Sequence, residues 1–347
     1  MSGGEEDMSI TKTAIGYTPD GQQVMSYLLE RNGIRVEILN YGAVIRSVWV
    51  PDRNGETEDI VLGYARLEDY FVNIPSFGAA IGRIVGPVPG LKLQVGEEVI
   101  MLEPSNEEGV HIHGGKKGFS RSLWQGEEEE NQDCARLRLH YTSPDGEDGY
   151  PGVIRAGICY DLDDDGHLTV VYTGESDRPT PYNPTNHSYF NLGGHNSGTI
   201  KNHMVRLRHT HVVVDGEPLP ARETPFDLTE PRRLGEALDS GDPRMAGGYD
   251  NFHVLEGEGL REILHAADPE SGRTLVISSD ASGAIFYTGN YLFDYPGKKG
   301  AVYSKSAGFA CEPCFVKMQR PFNPSCVPLL TPDNPFRSTT IYTFGIL

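Results

Sequence analysis

The feature that most constrains the fold of this chain is a series of short segments in which apolar and polar residues alternate. Alternation with a period of two places the apolar side chains on one face of a β-strand, and these segments are rich in Val, Ile, Tyr and Thr. Asn-Gly and Asp-Gly pairs, which favour tight turns, separate many of the segments. The clearest segments are Val153 to Tyr160, His167 to Tyr172, Met204 to Val214, Thr274 to Ser278, Ala284 to Thr288 and Thr339 to Phe344.

Helical patterns are scarce by comparison. Only Leu67 to Tyr70 and Arg232 to Leu238 indicate helices, each of about one or two turns. Many strands without interleaved helices favour sheets packed on sheets over a parallel α/β fold. We therefore predict an all-β protein, an antiparallel β-sandwich, built as a single domain over residues 1–347 with residues 1–9 flexible.

Charge and hydropathy exclude several classes of partner. The formal net charge is -19 at pH 7, and we expect no nucleic-acid partner because phosphate backbones are bound by clustered Lys and Arg. No apolar run is long enough to cross a bilayer, so no membrane partner is expected. Residues 1–8 are polar and acidic, unlike a signal peptide. These observations predict a cytoplasmic protein that binds a neutral or cationic small molecule. We expect it to be a monomer or homodimer.

The cysteines are odd in number and scattered over a long chain, which favours reduced thiols over a disulfide framework. They are Cys134, Cys159, Cys311, Cys314 and Cys326. Cys311 and Cys314 form a C-x-x-C, but zinc needs further ligands and no second pair stands at the spacing of a zinc site. We expect no metal and no cofactor at this pair.

Two other patterns resemble metal sites but lack a required ligand. The stretch Asp161 to Gly166 opens like a calcium-binding loop, yet Tyr172 stands where such a loop needs Glu, so a hairpin turn is expected. His111 and His113 form the H-x-H of a metal-binding cupin barrel. That interpretation needs a carboxylate shortly afterwards, and residues 114–123 contain none.

Three stretches are unusually dense in residues that carry chemistry. They are His111 to Gly115, Pro184 to Leu192 and Cys311 to Pro313. Because residues two apart in a strand share a face, we expect His111 and His113 on one face. We expect His187, Tyr189 and Asn191 on another. Glu312 follows an apolar run, and a carboxylate that faces a core must be paired, protonated or used.

Taken in order, the motifs of this chain resemble those of the aldose 1-epimerase (galactose mutarotase) family, over nearly the whole length. The segment Thr185 to Leu192, with the sequence TNHSYFNL, is the most specific of them. The others are Asn40 to Ala43, Val50 to Gly55, Ile60 to Tyr64, His113 to Phe119 with Trp124, Ser143 to Gly152, Gly248 to Asp250, Phe286 to Asn290 and Thr339 to Phe344.

The resemblance implies a large, twisted β-sandwich that interconverts the α and β anomers of a free aldose such as galactose or glucose, without metal or cofactor. It implies that Glu312 is the general base, that His187 is the general acid, and that His113 and Asp250 bind sugar hydroxyls. Opening the sugar ring requires a proton to leave the O1 hydroxyl and a proton to reach the ring oxygen, and a carboxylate and an imidazolium can supply both transfers. The negative charge of the carboxylate also favours the protonated imidazole, and the positive charge of the imidazolium favours the ionised carboxylate.

Two positions depart from the family pattern. Pro87 replaces an Arg that contacts the sugar, and Ile285 replaces a sugar-binding Gln. Neither replacement can bind a hydroxyl through its side chain. We therefore hypothesise that affinity for galactose or glucose is weakened, or that another aldose is preferred.

Two other functions remain open from the sequence. A catalytically weak or inactive sugar-binding relative would keep His113 and Asp250 but would not need the pair of Glu312 and His187. An enzyme of a related fold could instead act on another carbohydrate, as an epimerase of modified sugars or as a hydrolase. Hydrolysis would need two carboxylates across the scissile bond, for which Glu312 and Asp250 are the candidates.

Overall fold

Alternating segments of this chain form antiparallel strands, as the sequence predicts. The structure, a computed structural model, describes residues 9–130, 133–245, 247–316 and 327–347. Residues 1–8, to which most of the prediction of a flexible N-terminus applies, and Cys326 lie outside these ranges.

The strands of the first half of the chain belong mainly to two sheets. They are β1 Ser9–Tyr17, β2 Gln23–Arg31, β3 Ile34–Leu39, β4 Val44–Pro51, β5 Thr57–Asp59, β6 Ala80–Ile81, β7 Pro87–Val88, β8 Lys92–Val95, β9 Glu98–Met101, β10 His111–Ile112, β11 Gln125–Glu130, β12 Cys134–Ser143, β13 Ile154–Asp163, β14 His167–Ser176, β15 Thr180–Pro181 and β16 Thr185–Asn186.

The strands of the second half complete the large sheet and build a third one. They are β17 Met204–Leu207, β18 His209–Val214, β19 Glu217–Pro220, β20 Arg232–Arg233, β21 Asp250–Leu255, β22 Arg261–Ala267, β23 Arg273–Ser279, β24 Gly283–Tyr287, β25 Tyr295–Pro296, β26 Val302–Tyr303, β27 Ala310–Cys314, β28 Leu329–Leu330 and β29 Phe336–Ile346. The α-helices of the described residues are short, and they are α1 Leu67–Tyr70 and α2 Leu234–Leu238. Short 3-10 turns occur at Pro89–Leu91, Phe119–Arg121, Glu147–Gly149, Ile200–Asn202, Ala221–Glu223, Pro243–Met245 and Lys298–Gly300.

Three larger sheets organise these strands. The first has the order β1-β2-β3-β4-β5, the second β11-β12-β13-β14-β29-β23-β22-β17-β20, and the third β19-β18-β21-β24-β27. The ladders within them are antiparallel. Smaller two-stranded pairings include β10 with β7 and β16 with β6.

One apolar core joins the three sheets. It contains Leu29 and Val36 from the first sheet, Leu137 and Ile158 from the second, and Phe286 from the third, all nearly or completely buried. Side chains from facing sheets that share one core define a sandwich. The predicted all-β sandwich is therefore confirmed.

The segment predicted as one strand from Met204 to Val214 is divided between two sheets, so that part of the prediction was wrong. Met204–Leu207 belongs to the second sheet and His209–Val214 to the third, with Arg208 at the corner. Its N–H donates to the carbonyl of Ile263. The turn at the corner lets apolar residues of both halves reach one core, which a straight strand in a single sheet does not allow.

The two helical predictions and the hairpin prediction hold more closely. The first helix spans Leu67–Tyr70 as expected, whereas the second begins at Leu234 because Arg232–Arg233 pairs with β17. The aspartate-rich stretch forms the turn between β13 and β14, where Asp163 accepts the backbone N–H of Asp165. No helix of the described residues is long and apolar enough to cross a membrane.

Buried histidines predict a strong pH dependence of folding. His203 and His209 each accept a backbone N–H through Nε2, and burial lowers both pKa values to about 4, while the pKa of the buried His253 is also well below its usual value. These rings stay neutral in the folded chain, whereas the unfolded chain takes up their protons below a pH of about 6.5.

Stability is therefore expected to fall as the pH falls from about 6.5 toward 4, by up to about 1.4 kcal/mol per pH unit for each histidine. Urea unfolding at several pH values measures this slope. A free energy of unfolding that stays constant between pH 7 and 5 would contradict the assignment of neutral rings.

Candidate active site

The third sheet places Glu312 at the centre of its edge strand, β27. Glu312 is 1% exposed and pairs with Ile285 of β24. The preceding residue of β27, Cys311, points the other way and belongs to the main core. Because side chains alternate along a strand, Glu312 lies on the face of the sheet that does not contact this core.

His187 reaches the same place from a different part of the fold. It follows β16, its N–H donates to the carbonyl of Ala79, and its ring stacks on Tyr189 with 4.8 Å between ring centroids. Its Nε2 lies 3.6 Å from Oε1 of Glu312. The residues of the two most chemically suggestive segments therefore meet, although 125 positions separate them in the sequence (312 minus 187).

His113 completes a cluster of three side chains. It lies in the loop after β10 with a positive φ of 53°, and its ring centroid is 5.2 Å from that of His187. Its N–H donates to the carbonyl of Gly86, whose own N–H donates to Nδ1 of His113 at 3.4 Å. These two bonds hold the ring against His187.

His111, by contrast, points away from the cluster, so the expectation that His111 and His113 share a face was wrong. Nδ1 of His111 lies 2.5 Å from the carbonyl oxygen of Glu103, and Nε2 lies 2.7 Å from the hydroxyl of Tyr150. The strand ends at Ile112, and the left-handed backbone of His113 breaks the alternation of side chains.

Asp250 lies at the more open side of the cluster. It begins β21 and pairs with Tyr287 of β24, two positions along the sheet from the pair of Ile285 and Glu312. The residue is exposed, and partial desolvation raises the pKa of its carboxyl. Its charge also raises the pKa of Glu312.

Burial determines the protonation of the central pair. It raises the pKa of Glu312 well above the usual value, with a smaller contribution from Asp250, and lowers the pKa of His187 to about 3, with a smaller contribution from His113. Burial therefore favours the neutral form of both groups in this structure. It opposes the carboxylate and imidazolium that the family resemblance implies.

Two polar atoms of the pair have no hydrogen-bond partner among the described residues. They are Nδ1 of His187 and Oε2 of Glu312, both buried. Buried polar groups in folded proteins are nearly always paired, and exceptions often mark functional sites. These atoms indicate that the cluster is arranged to bind a polar ligand.

The cluster is compact enough to be considered as a metal site. Ligand atoms of His113, His187 and Glu312 all lie within 4.8 Å of one another. However, Nδ1 of His113 accepts the N–H of Gly86, so the neutral ring carries its proton on the other nitrogen and that nitrogen cannot bind a metal ion.

Sequence reasoning missed the residue that supports the loop of His113. The carboxylate of Asp148 accepts the backbone N–H groups of Lys116, Lys117 and Gly118. A side chain at Gly115 would collide with this carboxylate, since a Cβ there would lie 2.3 Å from its Cγ. The run of glycines after His113 is the sequence signal of such close packing.

The two departures from the family pattern occupy different surroundings. Pro87 is exposed and pairs with Ile112 in the short β7–β10 ladder. Ile285 is 6% exposed and forms a small apolar cluster with Ile81, Val85 and Cys314. The side chains of the third sheet beside Glu312 are therefore apolar.

The cluster lies away from a wide depression on the outer face of the second sheet. That depression has a volume of about 720 Å³, and its lining includes His140, Arg155 and Arg337 but none of the four candidate residues. We assign the candidate site by its chemistry, since the depression contains no comparable set of buried titratable groups among its lining residues.

Comparison with known proteins points to one family. The sequence matches the profile of the aldose 1-epimerase family over residues 25–343. It is 36% identical over 355 residues to the galactose mutarotase of Homo sapiens, covering 97% of this chain and 99% of that protein. It is 31% identical over 340 residues to the aldose 1-epimerase of Escherichia coli strain K12, covering 94% and 96%. The crystal structure of a galactose 1-epimerase from Lactobacillus acidophilus NCFM superposes with a TM-score of 0.84 at 26% identity, covering 98% and 99%.

Proposed function

This chain belongs to the aldose 1-epimerase family, and from that premise we propose that it interconverts the α and β anomers of a free aldose, with Glu312 and His187 as its acid–base pair. The observation that carries the proposal is the contact between these two side chains, 3.6 Å apart and buried, with an unpartnered polar atom on each. Monosaccharides are the substrates of this isomerase family.

The reaction needs one proton to leave the sugar and one to reach it. Glu312 takes the proton of the O1 hydroxyl while His187 gives a proton to the ring oxygen, and the C1–O5 bond breaks to leave an open-chain aldehyde. Rotation about the C1–C2 bond turns the other face of the aldehyde toward O5. The reverse transfers close the ring as the opposite anomer and restore the protons to their starting positions.

One proton shared by the pair is sufficient for this cycle. A carboxylate with an imidazolium, and a carboxylic acid with a neutral imidazole, hold the same number of protons and are the states before and after ring opening. Burial favours the neutral state, whereas hydrogen bonds from bound sugar hydroxyls favour the charged state. The two states are thereby brought closer in free energy, which lowers the cost of moving between them.

His113 and Asp250 are placed to bind hydroxyls around the reacting carbon. The neutral ring of His113 offers an N–H donor beside His187. Asp250, at the exposed side, offers acceptor oxygens. Together they would orient the sugar so that O1 faces Glu312 and the ring oxygen faces His187.

Polarimetry tests the activity directly. Pure α-anomers of galactose, glucose, xylose and arabinose are dissolved with and without the protein, and the approach to anomeric equilibrium is followed. We expect relaxation to be faster with the protein for at least one of them. If every sugar relaxes as in buffer, the proposal fails and the chain is better described as a sugar-binding relative. The structure gives the hydrolase alternative less support, since His187 and not Asp250 lies against Glu312.

The pH dependence of activity should lack the acid limb usual for a catalytic histidine. Since the pKa of His187 is about 3 and that of Glu312 is raised, the pair keeps one proton from about pH 3 up to the pKa of Glu312. We expect kcat/KM to show no loss on acidification from pH 6.5 to pH 5, and to fall as the pH rises past the pKa of Glu312, which burial holds well above its usual value. Initial polarimetric rates corrected for buffer catalysis measure this profile, with circular dichroism as the control for folding. A loss of kcat/KM on acidification, centred near pH 6.5, would contradict this prediction.

We infer in addition that the chain forms a single domain and acts in the cytoplasm as a monomer or homodimer. The single core shared by all three sheets supports the first point. Cys159, Cys311 and Cys314 form no disulfide among the described residues, which supports a reducing compartment.

A further inference from the structure

The imidazole of His187 is not held by a hydrogen bond at its second ring nitrogen. Nδ1 is buried and has no partner among the described residues, whereas catalytic histidines are often oriented by a bond at that position. The ring rests instead on Tyr189, and the rings of His113 and Tyr287 stand nearly perpendicular to it. Ring contacts constrain the plane of the imidazole, so the distance from Nε2 to Glu312 depends on where the backbone of His187 lies.

The backbone of His187 is bonded on both sides to one short segment. Its N–H donates to the carbonyl of Ala79 at 2.9 Å, and its carbonyl accepts the N–H of Gly78 at 3.0 Å. Gly78 has a positive φ of 65°, and a Cβ on it would lie 2.1 Å from the carbonyl oxygen of Ile45. The segment is therefore packed tightly against β4 and gives His187 a fixed support.

The side chain of Asn186 joins this support to the residue that follows His187. Its Nδ2 donates to the carbonyl of Gly78 at 2.8 Å. Its Oδ1 accepts both the N–H and the hydroxyl of Ser188, at 2.9 and 2.6 Å. Asn186 and Ser188 are 1% and 2% exposed, so little water competes for these bonds. One amide, which can donate and accept at once, thus fixes the backbone around His187.

We propose that Asn186 is a positioning residue for His187, whose Nε2 it keeps within reach of Glu312 and of the bound sugar. This inference rests on the proposed function and states how the acid of the pair is held in place. The bonds of Asn186 go to Gly78 and Ser188, so its loss should slow the conversion of bound sugar more than it weakens binding. A displacement of about 1 Å at a reacting group can cost about 10²-fold in rate.

The experiment measures kcat and KM of Asn186→Ala by polarimetry, with the aldose that the natural chain relaxes fastest. Circular dichroism at the assay temperature verifies that the variant is folded. We expect kcat to fall by about 10- to 10²-fold while KM stays nearly unchanged. A kcat equal to that of the natural chain overturns the proposal, and so does a rise in KM that accounts for the loss of kcat/KM.

A matched variant separates positioning from general loosening of the fold. Asn40 is also a buried amide that joins two backbone groups, since its Oδ1 accepts the N–H of Met25 and its Nδ2 donates to the carbonyl of Trp124. Both partners belong to the main core or pack against it. Asn40→Ala should lower the stability and leave kcat unaltered. Equal losses of kcat in the two variants would show that loosening is the cause and would contradict the role of Asn186.

A milder change decides the proposal if Asn186→Ala does not fold. Ser188→Ala removes the hydroxyl that donates to Asn186 and keeps the bond from the backbone N–H. We expect kcat to fall by about two- to tenfold, the equivalent of one hydrogen bond, with KM unchanged. In that case a kcat equal to that of the natural chain overturns the proposal.

The outcomes also separate this inference from the function beneath it. If the natural chain speeds relaxation and Asn186→Ala keeps the full kcat, the proposed function stands and only the role of Asn186 is lost. If no sugar relaxes faster with the natural chain than in buffer, both fail.

Discussion

Replacement of Glu312 by Gln should lower kcat for anomer exchange by about 10²–10⁴-fold, the range typical for loss of one positioned acid or base. The amide keeps the size of the buried side chain but cannot take the O1 proton. KM should change little, because the hydroxyl contacts proposed for His113 and Asp250 remain. The measurement is polarimetric relaxation of a pure α-anomer, with circular dichroism to verify the fold.

Companion variants make this prediction specific to the pair. His187→Ala should cause a loss of similar size, and the double variant should be little worse than either single one, since two groups that act as a unit are not additive. Glu128→Gln, an exposed carboxylate of β11 that pairs with Lys12, is the control and should retain full activity. Near-normal activity of Glu312→Gln would exclude Glu312 as the proton acceptor.

The largest effect on stability is expected from Lys298→Met. Nζ of Lys298 lies 2.5 Å from Oδ2 of Asp59 and also donates to the carbonyl of Arg46 and the hydroxyl of Ser47. The side chains are only 9% and 4% exposed. Removal of one partner of a buried ion pair leaves an uncompensated charge, so the free energy of unfolding should fall by about 3–5 kcal/mol. Chemical denaturation measures this change.

A double variant separates the lost charge balance from lost packing. Asp59 also accepts the N–H groups of Val48 and Val61 through Oδ1, which the amide oxygen of Asn can continue to do. Lys298→Met combined with Asp59→Asn removes both charges and should recover part of the stability. If the double variant were less stable than Lys298→Met alone, the unpaired charge would not be the cause.

Local pattern predicted the strands well, for a physical reason. Alternation of apolar residues is required wherever one face of a strand is buried, and Gly in a left-handed turn is required wherever two strands connect tightly. Both requirements act within a few residues, so segments such as Val153 to Tyr160 and Thr274 to Ser278 lie inside the observed strands Ile154–Asp163 and Arg273–Ser279 apart from one residue at an end.

The division of β17 and β18 between two sheets could not be predicted in this way. Each half of Met204 to Val214 has an acceptable strand pattern, and the corner at Arg208 depends on which strands stand beside it. Those neighbours, β22 and β21, come later in the chain. The same limitation explains His111 and His113, since the backbone of the loop is set by Asp148 and Gly86 and not by its own sequence alone.

The sequence by itself determined the all-β class and, through its resemblance to a family, the four residues proposed for the site. Only the tertiary structure decided how those residues are arranged and protonated. It placed His187 against Glu312, paired Ile285 with Glu312, and buried the acid–base pair, which favours the neutral form of both groups. Strand patterning depends on neighbours in the chain, whereas pairing, burial and pKa depend on neighbours in space, which for Glu312 come from β24 and β16.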